Sequence, residues 1–345
     1  MADNLTVVEA RASAYITKEL LSVGEYRDYY GAIGVPPLPR KDNIPLKNTK
    51  TAQFRRYEHI TPNQAPLVEG VTPAASTATY TDLTATVVQH GDYIILTDVS
   101  IDTAEDPLIQ IEGERMSISG IRALNSIREG VLIGGTTVGY SGTATARNQL
   151  VAAISLSLIA KMVRTIEANL GVRLTHILKA SQGYNTVPIP QSYVGVCHSK
   201  VKYDMKYTIG ESGGFIPMEK YTTHDFFPGE FGELGEVRWI MNPDMTYGAG
   251  LGGGPTAGMS QTANVNDAFY SLIFAKESYG LVQLGGKNGK SAAKGGNVEG
   301  IVKMPGSAGS ADPLNQRATV AWKAYDVCIR LNENWMGRLE STASA

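Results

Sequence analysis

The sequence has few of the residues from which disulfide frameworks and metal sites are built. Its 345 residues include two cysteines, Cys197 and Cys328. Two cysteines cannot form a disulfide framework, so we expect a reducing compartment. The residues available for a soft-metal site are His176, Cys197, His198 and His224. Because no C-x-x-C or H-x-x-x-H spacing joins them, we predict no metal ligand.

A strong excess of charge of either sign is also absent. The sequence has 31 Lys and Arg against 33 Asp and Glu, which gives a formal net charge of −2. A protein that binds nucleic acid tightly over a broad surface needs clustered positive charge. The balanced charge therefore argues against a nucleic-acid-binding protein of this kind. The charge remains compatible with a protein that encloses nucleic acid without binding it tightly.

No apolar run reaches the length that a membrane-spanning helix requires. Residues 1–15 also lack the basic segment followed by an apolar core that marks a secretory signal. The hydrophobic share of 43% and the charged share of 19% are typical of an ordered chain. We therefore expect a soluble protein that is cytoplasmic when it is made.

No motif commits the chain to catalysis. Segment 285–291, GGKNGKS, ends like a phosphate-binding loop but lacks the first glycine of that motif. The pattern G-x-G-x-x-G occurs at Gly248, Gly250 and Gly253, yet Pro255 and a polar stretch follow it where a nucleotide-binding fold needs a helix. A G-x-S-x-G elbow is missing, and neither cysteine lies in a nucleophile signature. We predict no catalytic residue, no cofactor-binding residue and no enzyme.

The most regular feature is a long helical pattern in segment 106–135. Its apolar residues recur at gaps of three, four and seven, at Leu108, Ile111, Ile118, Ile121, Leu124, Ile127 and Val131. Asp106 is a suitable N-cap, Pro107 suits the first position, and Gly134 can end the helix. We expect one apolar stripe that lies on a sheet or a second helix, with charged residues, Glu129 among them, on the remaining surface.

Glycines interrupt that pattern at Gly113 and Gly120. Each costs about 1 kcal/mol relative to alanine in a helix interior, and each lets another backbone approach closely.

Other segments predict a subunit that needs neighbours. A proline-rich stretch at 26–48 is expected to be extended, and strands are predicted near 49–60, 79–88 and 93–97. Two strand zones around a loop of low apolar content would form a protruding β-arm, which is unstable unless a partner covers it. A second helix is predicted at 147–170, ended by Gly171. These features predict a large homo-oligomer.

Four segments together resemble the major capsid protein family of podophages that carry a virion RNA polymerase. They are FRRYEHITPNQAPLVEGVTP at 54–73, HGDYIILTD at 90–98, GELGEVRWI at 232–240 and DPLNQRATVAWK at 312–323. They occur in the family's order and spacing over most of the chain. The resemblance implies an α+β chain with the Hong Kong 97-type phage capsid fold.

The resemblance also implies a division of the chain. Residues 1–48 would form an N-terminal arm, and residues 49–98 an extended loop, a β-hairpin that lies on the adjacent subunit. Residues 99–183 would form a peripheral domain with the spine helix and a following long helix, 184–310 an axial domain, and 311–345 a return to the peripheral domain. Gly113 and Gly120 would allow the spine helix to bend between curved and flat subunit positions.

The implied function is self-assembly into pentamers and hexamers of an icosahedral shell around double-stranded DNA, without sequence-specific binding, membrane or cofactor. Assembly would take place in the host cytoplasm, and the protein would reside in the virion, with portal, scaffolding and decoration proteins as partners. One alternative is an encapsulin-type nanocompartment shell of the same fold. Another is a soluble enzyme whose site the sequence does not reveal.

Contact residues, not a catalytic site, are the expected functional positions. Arg55 and Arg56 of the extended loop are predicted to reach Glu230, Glu233 or Glu236 of a neighbouring subunit, in bidentate pairs where geometry allows. The equally supported alternative is that both arginines are solvated and contribute little.

Overall fold

The computed structural model describes residues 38–44, 49–60, 62–70, 72, 75–175, 190–221, 227–284, 298–307 and 312–345. Its α-helices are α1 (Asp98–Thr103), α2 (Leu108–Ile133), α3 (Leu156–Ala168) and α4 (Ser199–Tyr203), the last continued by a π-helical turn at Asp204–Ile209. The proline-rich stretch before residue 38, His176, His224 and segment 285–291 lie outside the described residues.

The strands lie before, between and after these helices along the chain. They are β1 (Arg40–Ile44), β2 (Thr51–Tyr57), β3 (Tyr80–Thr86), β4 (Val88–Thr97), β5 (Val138–Tyr140), β6 (Tyr193–Cys197), β7 (Ile216–Pro217), β8 (Glu230–Leu234), β9 (Val237–Met241), β10 (Tyr247–Gly248), β11 (Gln261–Thr262), β12 (Val265–Asn266), β13 (Ala268–Phe274), β14 (Tyr279–Leu284), β15 (Val298–Lys303), β16 (Arg317–Arg330) and β17 (Met336–Ser341).

A five-stranded sheet is organised around β16, which is 14 residues long. β16 pairs with β4 along one edge and with β15 and then β14 along the other, and β1 lies parallel to β14. Alternate β16 side chains are buried, as the period of a strand requires when one face is covered. Helix α2 covers that face, where Met116 and Leu124 pack against Val320 and Trp322.

Helix α2 confirms the predicted long helix but not its predicted buried face. It runs unbroken through Gly113 and Gly120 to a cap at Gly134. It begins at Leu108, and no side chain caps it, so Asp106 is not the N-cap. Ile111 and Ile127 of the predicted stripe are 37% and 40% exposed. The buried residues are Gly113, Met116, Ser117, Gly120, Leu124, Asn125, Glu129 and Leu132.

Close approach explains which face of α2 is buried. A Cβ at Gly120 would lie 3.0 Å from Cδ2 of Trp322. The face of α2 that carries small residues therefore packs against the sheet. The bulkier isoleucines lie beside this contact. The prediction that Glu129 belongs to the polar surface is wrong, since its exposure is 0%.

The second sheet has eight strands in the order β5-β17-β13-β6-β9-β8-β7, with β10 beside β13. One face packs against α3 through Leu158, Ile159, Met162, Val163 and Ile166. The other face shares a core with Leu132 of α2, Tyr279 and Leu281. Helix α2 thus begins on the five-stranded sheet and ends against the eight-stranded one.

The second predicted helix is shorter than the sequence pattern indicates. Residues Arg147–Gln149 form one 3₁₀ turn, and α3 begins at Leu156, where the side chain of Ser155 accepts a hydrogen bond from the amide of Leu158. Leu150 is buried outside the helix. The apolar residues at 150 and 154 are therefore buried in a loop and not on a helix. The helix begins where the side-chain oxygen of Ser155 caps it.

Strands β2 and β3 form a separate two-stranded hairpin, which confirms the strand zones predicted near 49–60 and 79–88. Its strands are anchored on the five-stranded sheet, where Phe54, Ala85 and Val87 pack with Ile44, Val282 and Leu331. One residue, Val87, separates β3 from β4, so the hairpin continues directly into the five-stranded sheet. Within the described part of the chain, every helix is too short or too polar to cross a membrane.

Candidate intersubunit surfaces

The hairpin and the loop at its tip carry a concentration of exposed large apolar side chains. They are Tyr57, Ile60, Leu67, Val68 and Tyr80, with exposures of 57% to 77%. Isolated exposed apolar residues are ordinary, but a set of this size on one projecting segment marks a contact surface. Because a two-stranded hairpin buries little of itself, the surface is suited to cover by another chain.

Arg55 stabilises the hairpin from within. Its Nε and one terminal nitrogen donate to Asp82 at 2.7 and 3.0 Å, and Asp82 lies directly opposite Arg55 in the strand register. The guanidinium also lies over the ring of Tyr80, 4.4 Å from its centroid. The hydrogen bond from Arg55 holds the pKa of Asp82 below its usual range. The bidentate geometry that we expected between subunits is therefore used inside one subunit.

Arg56 ties the hairpin to the five-stranded sheet. One terminal nitrogen donates to the carbonyl oxygen of Leu331 at 2.9 Å, and Nε donates to Glu58 at 2.9 Å. Glu58 also accepts a hydrogen bond from Thr81 at 3.1 Å. These bonds lower the pKa of Glu58, with the hydrogen bond from Arg56 as the largest cause. The Leu331 contact holds the hairpin against the residue that follows β16.

A second candidate surface is the face of the five-stranded sheet that α2 does not cover. Tyr93 and Ile95 of β4 are 63% and 48% exposed on that face. Tyr93 lies opposite Ala321 in the register, and Ala321 lies opposite Ile301 of β15. This arrangement forms an apolar strip across three strands, on which no described segment covers Tyr93 or Ile95.

The three predicted acidic contacts lie in very different surroundings. Glu230 and Glu233 are each 5% exposed, whereas the side chain of Glu236 is 49% exposed. Glu230 accepts two hydrogen bonds from Arg238, at 2.7 and 2.6 Å, and one each from the Tyr221 hydroxyl and the Phe227 amide. Its charge is therefore compensated inside the chain.

Glu233 lies across from Arg238 in the β8–β9 register, and burial raises its pKa to about 7. Glu236 occupies the turn between those strands with φ of +63° and accepts a hydrogen bond from Arg173 at 2.5 Å. Of the three glutamates, Glu236 presents a surface to another chain. The predicted pairing with Arg55 or Arg56 of a neighbour stays a prediction.

No group of three or more metal-ligating side chains converges in the described residues. Both cysteines are buried, and burial raises their thiol pKa, to about 12 for Cys328. Such thiols are poor nucleophiles at neutral pH.

Sequence reasoning missed the partners that these arginines find within the chain, and it missed Glu129. The Arg55–Asp82 pair follows from strand register, which no local pattern reveals. The available signal for Glu129 was its spacing of four from Asn125, which places two polar side chains beside the buried Leu124.

The fold identifies structural relatives where sequence comparison does not. No protein-family model and no curated protein matches the chain. The capsid of Ralstonia phage GP4 superposes with a TM-score of 0.63 at 10% identity, covering 89% of this chain and 87% of that chain. The capsid of cyanophage P-SCSP1u gives a TM-score of 0.56 at 12% identity, covering 89% and 87%.

A third similar structure is the holo-SrpI encapsulin complex from Synechococcus elongatus PCC 7942. It gives a TM-score of 0.50 at 11% identity, covering 88% of this chain and 85% of that chain. The chain therefore has the Hong Kong 97-type fold that the sequence resemblance predicted.

Proposed function

We propose that this chain is the major capsid protein of a tailed phage and assembles into pentamers and hexamers of an icosahedral shell around double-stranded DNA. The observation that carries the proposal is the projecting hairpin. Its strands pack on the five-stranded sheet, whereas the loop at its tip exposes large apolar side chains such as Leu67, which is 77% exposed. A fold shared with phage capsids supports the same reading.

The shell proposal assigns roles to the parts of the chain. Within residues 49–98, strands β2 and β3 and the residues between them are the extended loop that lies on the adjacent subunit, whereas β4 belongs to the five-stranded sheet. The uncovered strip around Tyr93, Ala321 and Ile301 is a suitable receiving surface, since both partners are apolar. Residues 1–48 are the arm, 99–183 and 311–345 the peripheral domain, and 184–310 the axial domain. In the structure β14 and β15 join the sheet under α2, so the domains share strands.

Partners and location follow from the same proposal. The chain is a structural protein of the virion with no catalytic activity, assembled in the host cytoplasm. It meets portal, scaffolding and decoration proteins and holds DNA without reading its sequence. A net charge of −2 is consistent with an inner wall that does not bind packed DNA tightly. The finer assignment is to podophages that carry a virion RNA polymerase, and mass spectrometry of purified virions tests it by the presence of that polymerase.

Electron microscopy of the purified chain is the direct test of shell formation. Closed particles tens of nanometres across support the proposal, and elution as a small oligomer under all assembly conditions overturns it. The same outcome separates a shell from a soluble enzyme.

An encapsulin-type nanocompartment is the second candidate, because the encapsulin complex shares the fold over 88% of this chain. The contents of native particles distinguish the two functions. After nuclease treatment, protected double-stranded DNA of genome length supports the phage capsid. A protected protein cargo without such DNA supports the nanocompartment and overturns the capsid proposal.

A further inference from the structure

A buried glutamate joins the spine-like helix α2 to a loop of the other sheet. Glu129 is 0% exposed and lies one turn before the end of α2. Its Oε1 accepts hydrogen bonds from Nδ2 of Asn125 at 2.8 Å and from Nδ2 of Asn242 at 2.5 Å. Its Oε2 accepts from the amide and the hydroxyl of Thr246, at 3.1 and 3.3 Å. One carboxyl group therefore binds loop 242–246, which follows β9, to the helix.

All four of these donors are uncharged. The cationic side chains nearest in sequence on α2 are directed elsewhere, Arg122 to Asp244 of the loop and Arg128 to Asp326 of β16. Asp244 is negative, and it also acts on His198, whose pKa burial lowers. A carboxylate at position 129 thus carries its charge in a buried site among uncharged donors, and Asp244 makes that charge less favourable still.

The protonation of Glu129 reflects this environment. Its pKa is raised to about 7, mainly by burial and to a lesser extent by Asp244, and the hydrogen bonds from Thr246 and Asn125 act in the opposite direction. The folded pKa lies above the ordinary value of 4.5. Protonated Glu129 therefore contributes its full stabilisation of the folded state below about pH 4.5. That contribution is lost as the pH rises through about 7.

The amide of Asn125 offers an acceptor for the proton. Its Oδ1 is buried without a hydrogen-bond partner, whereas Oδ1 of Asn242 accepts from the amide of Asp244 and so fixes that side chain. Rotation of the Asn125 amide by half a turn exchanges its oxygen and nitrogen. A protonated Oε1 of Glu129 then donates to Asn125 and still accepts from Asn242. The neutral and charged forms thus each make four hydrogen bonds.

We propose that Glu129 is a proton-operated latch that holds loop 242–246 on helix α2. With the proton bound, the side chain remains buried and the loop stays closed. When the proton leaves to solvent, the carboxylate gains hydration by opening of the loop, so opening becomes more frequent. The Arg122–Asp244 pair, with nitrogen–oxygen distances of 2.7 and 2.6 Å, closes the same loop from the exposed side.

Hydrogen exchange on the full chain tests the latch at the amides of loop 242–246. Protection factors, corrected for the intrinsic exchange rate, are measured at about pH 6 and about pH 8. A site whose closed pKa is near 7 and whose open pKa is near 4.5 opens roughly tenfold more often at the higher pH. We expect that roughly tenfold loss of protection in the wild-type chain and no such loss in Glu129→Gln. An unchanged wild-type loop, or the same loss in the variant, overturns the proposal.

Glu233→Gln is the matched control. Glu233 is also a buried glutamate with pKa raised to about 7, but it lies on β8. We expect the loop of this variant to behave as in the wild type. If Glu129→Gln does not fold, infrared spectroscopy of Glu233→Gln provides a second measurement. A protonated carboxyl band present at about pH 6 and lost by about pH 8 supports the latch, and its absence at the lower pH overturns it.

Discussion

Gly120 of helix α2 lies against the indole ring of Trp322, so that a Cβ at position 120 would come within 3.0 to 3.3 Å of three ring atoms. Trp322 is 3% exposed, and its ring is held between the helix and the sheet. The glycine therefore sets the distance between α2 and β16.

Replacement of Gly120 by alanine should destabilise the chain by about 1 to 2 kcal/mol, because the clash outweighs the gain in helix propensity. Gly130→Ala is the matched control on the same helix, since no atom lies within 4 Å of its added Cβ. That control should stabilise by about 0.5 to 1 kcal/mol. Urea unfolding of both variants measures the difference, and equal effects would contradict the packing role.

The proposed bending of α2 at Gly113 and Gly120 makes a separate prediction about shells. If bending is required, the double variant Gly113→Ala, Gly120→Ala should assemble shells of altered size or lower yield. Gly130→Ala should assemble normally. Shells of wild-type size, yield and stability from the double variant would contradict the bending role, whatever its effect on the single chain.

The hairpin allows folding and assembly to be separated. Phe54 is 5% exposed in the anchoring cluster, and Leu67 near the tip is 77% exposed. Phe54→Ala should cost about 3 kcal/mol of chain stability. Leu67→Ser should change chain stability by less than about 0.5 kcal/mol but reduce the yield of shells. Thermal unfolding with particle counts by electron microscopy measures both. Normal assembly of Leu67→Ser would argue against the tip as a contact.

Charge reversal tests the predicted intersubunit pair. Arg56→Glu should lower shell yield, but it also removes the bond to Leu331 within the chain. The double variant Arg56→Glu, Glu236→Arg distinguishes loss of an intersubunit pair from loss of the bond within the chain. Restored yield requires that the two side chains meet between subunits. Unchanged yield in Arg56→Glu, or no recovery of yield in the double variant, would contradict the predicted intersubunit pair.

The global stability of the chain should fall as the pH rises from about 6 to about 8. Glu129 and Glu233 both have folded pKa values of about 7, above the ordinary value of 4.5. Each then loses on the order of 1 kcal/mol of stabilisation over that range. Glu129→Gln and Glu233→Gln should each remove their own share of that fall, on the order of 1 kcal/mol. Unfolding midpoints across the range measure it, and a stability that rises with pH would contradict the sign.

Local patterns predicted the elements whose signals lie within a few residues. The gaps of three and four in segment 106–135, with Gly134 as a stop, predicted α2, and the strand zones around a polar loop predicted the hairpin. The buried side of α2 was not predictable in the same way. It depends on Trp322, which lies about two hundred residues further along the chain and meets Gly120 only in the fold.

The same reason explains the contact residues. Arg55 finds Asp82 through strand register, and Glu129 finds Asn242 and Thr246 through the packing of a distant loop. A charged side chain on a helix is usually solvated, so the sequence offered no reason to place Glu129 inside. Glu230 likewise required the β8–β9 pairing to bring Arg238 beside it.

The direct passage from hairpin to sheet determines how the chain responds to a mechanical pull. β3 continues into β4 after one residue, and β4 pairs with β16 in antiparallel register from Val88–Asp326 to Thr97–Arg317. Hydrogen bonds in this geometry lie perpendicular to the strands, so tension along β4 shears all of them together. A force that would break the hydrogen bonds of an edge strand one at a time is thus resisted by the whole β4–β16 pairing. The hairpin can therefore be stretched without separating β4 from the sheet.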